Sequence, residues 1–167
     1  MKQSISVVAL LLSTLVTVPS TFAATSEVTW SDYKSYTDIN EGTHGRKQFR
    51  ESTFKSFEKH FSKLVTTLPE GQILKIDVTD VDLAGDTHVA GINRTRVIKN
   101  VFFPRMNFSY KLLDADGKVI KFDDVVVKDM SFMSGSNLKY RNQSLGYEKK
   151  MLDDWFKNTF KPLIVSK

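Results

Sequence analysis

The chain has 167 residues, contains no cysteine and carries a formal net charge of +5 at pH 7. The absence of cysteine excludes disulfide bonds, thiolate metal sites, cysteine-based catalysis and a lipoprotein anchor. The basic residues are scattered along the sequence, which is typical of an ordinary solvated surface and argues against nucleic acid as a partner.

The N-terminus has the pattern of a secretory signal peptide. Lys2 supplies a positive charge, and an apolar run covers residues 5–18. Thr21 and Ala23 place small residues at the −3 and −1 positions of a cleavage site. The apolar run is shorter than the roughly 20 residues of a membrane-spanning helix. We therefore expect cleavage after Ala23, so that residues 1–23 are removed and no membrane insertion follows.

The expected mature chain, residues 24–167, is of a size that folds as one domain. Residues 27–30 predict a short first strand, and a polar loop follows. Residues 46–68 repeat apolar side chains at steps of three and four, which predicts an amphipathic helix. Pro69 ends this helix.

Several strands are predicted after the helix. Residues 73–81 and 106–112 alternate apolar and polar side chains, as half-buried strands do. Less regular candidates lie between and after them, at residues 94–102, 118–122 and 125–128. The segment Asp114–Gly117 has the composition of a hairpin turn.

A second amphipathic helix is predicted over residues 147–160, and Pro162 ends it. Strands grouped between two helices and joined by hairpins indicate an α+β fold. We expect an antiparallel sheet of about four to five strands, with both amphipathic helices packed on one face.

The sequence also carries the motifs of a known family. These motifs are Trp30, Tyr36-Thr-Asp38, Leu68-Pro-Glu-Gly-Gln72, Asp80-Val-Asp-Leu-Ala-Gly85, Arg96-Val97, Pro104-Arg-Met106, Asp129-Met-Ser-Phe132, Tyr147-Glu-Lys149 and Trp155-Phe156. In them the chain resembles the bacterial family called domain of unknown function 3016, over nearly the whole mature chain. The resemblance implies a protein exported into a Gram-negative envelope, and hence a periplasmic location. It implies no activity and no catalytic residue.

The acidic loop after the central strand is the first candidate site. A ligand surface is predicted from the carboxylates of this loop and two arginines that follow it in the chain. These residues are Asp80, Asp82, Asp86, Arg96 and Arg105. The alternative is that the carboxylates cap turns and pair with the arginines, since Asp is a common turn residue.

The same loop does not fit an EF-hand calcium site. In a loop that starts at Asp80, Asp82 is third and Gly85 is sixth, as required. The twelfth position is Gly91, however, where an EF-hand needs a bidentate Glu. No cofactor is therefore predicted, and a calcium site of another type stays open.

Histidine chemistry has no recognisable motif here. The three histidines, His44, His60 and His88, lack the spacing of paired metal ligands on a helix. A site made from His44, His88 and Asp86 would need two separate loops to converge. The simpler interpretation is that the histidines are surface residues.

No sequence motif supports an enzymatic function. The chain lacks a nucleophile elbow, a P-loop and a dinucleotide fingerprint, and its four Ser-x-x-Lys patterns lack their partner motifs. A carboxylate pair for glycosidic cleavage would have to be drawn from Asp38, Asp80, Asp82, Asp129 and Glu148. The alternative for Asp129 and Glu148 is that they sit near buried polar groups and hold the loop before the last helix.

Three hypotheses about function follow. The favoured one is a small soluble periplasmic protein that binds an envelope component or another protein, helped by its mild positive charge. The second is a carboxylate- or metal-dependent envelope hydrolase. The third is a structural or stress-related role without a small ligand.

Overall fold

The computed structural model describes residues 22–39, 46–87, 96–134, 139–140 and 142–164. Its elements are β1 (Thr25–Trp30), a 3-10 turn (Tyr33–Ser35), α1 (Arg46–Val65), β2 (Ile73–Asp82), β3 (Arg105–Leu113), β4 (Val119–Lys128) and α2 (Gly146–Phe160). Residues 1–21, which make up nearly all of the expected signal peptide, lie outside the described residues. Within the described residues, neither helix has the length and apolarity required to cross a membrane.

The four strands form one mixed sheet in the order β1-β2-β3-β4. The expectation of a purely antiparallel sheet is wrong, because β1 pairs with β2 in parallel, from Thr25 opposite Ile73 to Trp30 opposite Val78. The helix α1 explains the difference, since a strand that follows a helical crossover can run parallel to the strand before it. The other two pairings are antiparallel, as expected.

The sheet has four strands within the described residues, and the expected range of four to five was too broad. The candidates at residues 118–122 and 125–128 form the single strand β4. The candidate at residues 94–102 does not join the sheet where it is described. There, Val97 makes only an isolated bridge with Asp86.

Both helices pack on the same face of the sheet. The ring of Phe108 on β3 contacts Phe61 of α1 at 6.3 Å and Trp155 of α2 at 4.8 Å, between ring centroids. The buried side chains on this face share one hydrophobic core; on β2 and β3 they are Leu74, Ile76, Val78, Val81, Met106, Phe108, Tyr110 and Leu112. The opposite face carries mostly polar residues on β2 and β3, whereas on β4 it also carries the exposed apolar side chains of Phe122 and Val126.

A β-bulge in β2 decides which face its acidic end presents. The register with β3 shifts between Val78 and Asp80. The shift turns Val81 into the core and places Asp80 and Asp82 on the opposite face, because one extra residue reverses the alternation of side chains. Asp82 then lies directly opposite Arg105 on β3.

Candidate functional site

The carboxylates at the end of β2 are held by neighbouring groups. Asp80 accepts hydrogen bonds from the backbone N–H of Thr37 at 2.7 Å and from its hydroxyl at 2.9 Å. The guanidinium of Arg105 lies 3.6 Å from Asp80 and 3.5 Å from Asp82. The structure therefore brings Asp80, Asp82 and Arg105 together, in the paired arrangement that was one of the two sequence interpretations.

Arg96 is held close to the same strand end. Its Nη1 donates to Oδ2 of Asp38 at 2.6 Å and to the carbonyl of Gly85 at 3.0 Å. Its neighbour Val97 exchanges backbone hydrogen bonds with Asp86 at 3.0 and 2.9 Å. Asp86 and Arg96 thus belong to the same local structure as Asp80 and Asp82.

One carboxyl of this cluster, that of Asp82, has a shifted pKa. Burial raises the pKa of Asp82 above its ordinary value. Arg105 and Arg96 oppose the shift, whereas the charges of Asp38 and Asp80 add to it. Burial is therefore the main physical cause of the raised pKa.

A cavity of about 390 Å³ lies beside this cluster, lined by residues that include Leu83, Arg96, Tyr147 and Glu148. Glu148 is only 4% exposed and accepts a hydrogen bond from the backbone N–H of Ala84 at 2.8 Å. Burial raises the pKa of Glu148, against smaller opposing effects of that hydrogen bond and of Arg96. Glu148 thus fixes the loop after β2 onto the start of α2.

Asp129 makes a separate set of contacts. It accepts from the backbone N–H of Ser131 at 3.0 Å, and Lys150 lies 3.3 Å from its other oxygen. Lys150 is shared with Asp154 at 2.8 Å. Asp129 therefore pairs with α2, and none of the contacts described for it involves Glu148.

Of the three histidines, only His60 belongs to the described residues; His44 and His88 lie outside them. His60 is on α1, with 9% of its side chain exposed, and its Nε2 lies 2.8 Å from Oδ1 of Asp153. Across the described ranges, no three histidine or carboxylate side chains come close enough to share a metal ion.

A second concave region, which we call the lysine groove, lies between α1 and α2. It has a volume of about 610 Å³. Five lysines line it: Lys59, Lys63, Lys139, Lys149 and Lys157. Asp153 is the single carboxylate in the lining. Five cations against one anion give a formal charge of +4, whereas the whole chain carries +5.

The lysines of the groove differ in whether their ammonium groups have hydrogen-bond or ion-pair partners. Lys139 donates to Asp153 at 2.6 Å, and Lys149 donates to the carbonyl of Ser144 at 2.7 Å. Within the described part of the chain, no hydrogen bond or ion pair engages the ammonium groups of three further lysines of the lining: Lys59, Lys63 and Lys157. Four of the five lysines therefore have no carboxylate partner there.

The positive charges also act on one another. Burial lowers the pKa of Lys149 below its ordinary value, and the nearby Lys59 lowers it further, against an opposing effect of Glu148. Lys59 on α1 and Lys149 on α2 line the same groove, so charges from the two helices face a common space. An anion placed between them would relieve this repulsion.

Asp153 does not present a free negative charge to the groove. Its side chain is 4% exposed and is surrounded by Lys139, His60 and the hydroxyl of Tyr140, which donates to it. Burial by itself raises the pKa of this carboxyl, but the close contact with His60 and the hydrogen bonds from Lys139 and Tyr140 lower it on balance, well below its usual range. The buried carboxylate is thus ionised and compensated beneath the lysines.

Sequence reasoning missed the lysine groove, because its members come from three segments that fold together only in space. A partial signal was present. Lys59 and Lys63 are one helical turn apart, and Lys149 and Lys157 are separated by eight residues, so each pair lies near one face of its helix. The pairing of the two faces was not visible in the sequence.

Comparison with known proteins gives a family match only. Residues 24–158 match the family described as protein of unknown function (DUF3016). Searches of curated proteins and of solved structures found no match to the chain.

Proposed function

The chain belongs to the DUF3016 family, and from that premise we propose that it is a binding module of the bacterial envelope that holds an anionic component in the lysine groove. The matched region begins directly after Ala23, where the expected signal peptide ends. This boundary supports export of residues 24–167 to the periplasm, because a cleaved signal peptide is not part of the folded domain.

The lysine groove is the observation that carries the proposal. It is concave, and its volume of about 610 Å³ falls in the range of roughly 300–1,000 Å³ that is common for ligand sites. Five lysines and a single carboxylate line it, and the charge of Asp153 is already compensated by its own partners. Such a surface attracts and retains negatively charged groups.

The acidic loop is the weaker of the two candidate sites. Asp80 and Asp82 already contact Arg105, and Arg96 already contacts Asp38. A ligand would have to replace these contacts, and the replaced hydrogen bonds would offset part of the binding free energy. Lys59, Lys63 and Lys157 impose no such cost, because no contact described for their ammonium groups would have to be replaced.

Native mass spectrometry of protein taken from its own periplasm tests the proposal. We expect the mass of residues 24–167 together with an adduct. The adduct should be absent from the variant Lys59→Ala/Lys63→Ala/Lys157→Ala.

Three lysines outside the groove provide the matched control, Lys75→Ala/Lys111→Ala/Lys128→Ala, which removes the same net charge. This control should retain the adduct. Retention of the adduct by the groove variant would contradict the site. Recovery of a chain that still contains residues 1–23 would contradict cleavage.

A second candidate function, an envelope hydrolase, is favoured by one observation. Asp82 and Glu148 both have raised pKa values, and Glu148 lines the cavity of about 390 Å³. Such groups are candidates for acid–base catalysis. Incubation of the protein with isolated peptidoglycan tests this idea. Release of soluble fragments that is lost in Glu148→Gln supports it, and the absence of fragments from the wild-type reaction excludes this activity.

A further inference from the structure

We propose that the occupant of the lysine groove is a single-chain anionic lipid, whose head group lies among the lysines and whose acyl chain lies on the apolar floor. The inference rests on the proposed function and names the ligand class. It rests on the presence of both lysine side chains and apolar side chains in the lining of one groove. A purely polar anion would leave the apolar lining unused, and an uncharged hydrocarbon would leave the lysines unused.

The apolar floor comes from three parts of the chain. Leu64 is contributed by α1, Phe156 by α2, and Ile164 by the segment that follows α2. Leu64 and Ile164 are partly exposed, whereas Phe156 is almost fully buried and belongs to the core. A chain of methylene groups that covered this floor would remove its apolar area from water, at about 25 cal/mol per Å².

The lysines provide positive charge along both walls. Lys59 and Lys63 follow each other by one turn on α1. Lys149 and Lys157 are eight residues apart on α2, a distance of about 12 Å along the helix axis. A phosphate or carboxylate can therefore meet ammonium groups from both helices.

An acidic peptide fits the groove less well than a lipid. The walls are helices, whose backbone groups bond within the helix, so an extended peptide would find few partners for its amides. An acyl chain has no amides to satisfy.

Calorimetric titration of the mature protein with four probes tests this inference. The probes are dodecyl phosphate below its micellar concentration, glycerol 3-phosphate, dodecyl maltoside and a heptaglutamate peptide. Dodecyl phosphate carries both a charged head group and an acyl-like chain, and glycerol 3-phosphate carries the charged head group alone. Dodecyl maltoside carries the chain with a neutral head group, and heptaglutamate is a polyanion without a chain. We expect one dodecyl phosphate to bind per protein, and more tightly than the other three probes.

Variants separate the contribution of charge from that of the floor. Lys59→Ala/Lys63→Ala/Lys157→Ala should weaken dodecyl phosphate binding about tenfold, since three partly exposed charge contacts together amount to roughly a tenfold change in affinity. Ile164→Ser should weaken dodecyl phosphate but leave glycerol 3-phosphate unchanged. The control variant with alanine at Lys75, Lys111 and Lys128 should bind like the wild type.

Each contrary outcome identifies what has failed. If glycerol 3-phosphate or heptaglutamate binds as tightly as dodecyl phosphate, the lipid inference is overturned while the anionic site stands. If dodecyl maltoside binds equally well, or if the lysine variant binds like the wild type, the charge-based site and the proposed function fail together. If none of the four probes binds, the lipid inference is overturned.

Discussion

The imidazole of His60 on α1 and the carboxylate of Asp153 on α2 meet at 2.8 Å beneath the lysine groove. The same His60 Nε2 lies 3.1 Å from the carbonyl oxygen of Lys149. Because both neighbours are acceptors, this nitrogen carries a hydrogen. Both side chains are nearly buried, so the contact joins the two helices within a region of low dielectric, where polar contacts are strong.

The first prediction concerns Asp153→Asn. The change removes the charge that Lys139, Tyr140 and His60 share, so it should lower the free energy of unfolding by about 1–3 kcal/mol. The measurement is urea denaturation at pH 7. The control is Asp154→Asn, the adjacent carboxylate, which is 54% exposed. It should change stability by less than about 0.5 kcal/mol.

The pH dependence gives this prediction a second readout. The pKa of Asp153 is lowered in the folded state from an unfolded value near 3.8. The stabilisation is therefore present above the unfolded pKa and is lost as the pH falls through the folded pKa. The difference between the wild type and Asp153→Asn should therefore shrink as the pH falls below about 4. A difference that grows below about pH 4 would contradict this account.

The sequence predicted both helices and the two central strands, because their side chains repeat at the period of the element. Phe54, Phe57 and Phe61 recur at helical steps, and all three pack in or against the core. Periodicity reports which side of an element is buried. It does not report the neighbour of a strand or its direction, so the parallel pairing of β1 with β2 was not predicted.

The periodicity of the side chains could not predict two features of the candidate sites, for different reasons. The bulge at residues 78–80 reverses the alternation of β2, and it is formed only where β2 pairs with β3. Lys59 and Lys157 are far apart in sequence, and they line one groove because α1 and α2 pack on the same face of the sheet. Pairwise contacts of this kind depend on the tertiary fold.

The second prediction concerns ionic strength. Binding of dodecyl phosphate in the lysine groove should weaken as salt is raised from 0.01 to 0.15 M, because the screening length falls from about 30 Å to about 8 Å. The affinity of the groove variant Lys59→Ala/Lys63→Ala/Lys157→Ala should depend less on salt than the affinity of the control variant Lys75→Ala/Lys111→Ala/Lys128→Ala. Titrations of each variant with dodecyl phosphate at three salt concentrations give the slope of its affinity against salt concentration. Equal slopes for the two variants would place the electrostatic attraction outside the groove.

The third prediction compares two glycines with positive φ. Gly85 has φ +86°, and an added Cβ would lie 2.8 Å from the carbonyl oxygen of Val97. Gly117 has φ +80°, but its Cβ would meet no atom within 4 Å. Both alanine variants incur the conformational cost of about 1–2 kcal/mol, and only Gly85→Ala adds a clash with backbone. Gly85→Ala should therefore be the less stable of the two in thermal unfolding, and equal stabilities would contradict the close approach.

The last prediction concerns Glu148, whose carboxyl is buried against the backbone N–H of Ala84. Because its pKa is raised in the folded state from an ordinary value of 4.5, its contribution to stability is present below the unfolded pKa and is lost as the pH rises through the folded pKa. Glu148→Gln keeps an acceptor for Ala84 and removes the buried charge. Relative to the wild type, its stability should therefore rise between pH 4 and pH 8.

Glu148→Ala is the companion variant for this prediction. It removes the acceptor as well as the charge, so the N–H of Ala84 loses its partner and the free energy of unfolding should fall by about 1–3 kcal/mol. Urea denaturation at pH 4 and pH 8 measures the free energy of unfolding of the wild type and of both Glu148 variants. If Glu148→Gln were as unstable as Glu148→Ala at both values, the carboxylate form itself would be what holds the loop after β2 to α2. The raised pKa would then be the wrong description of this residue.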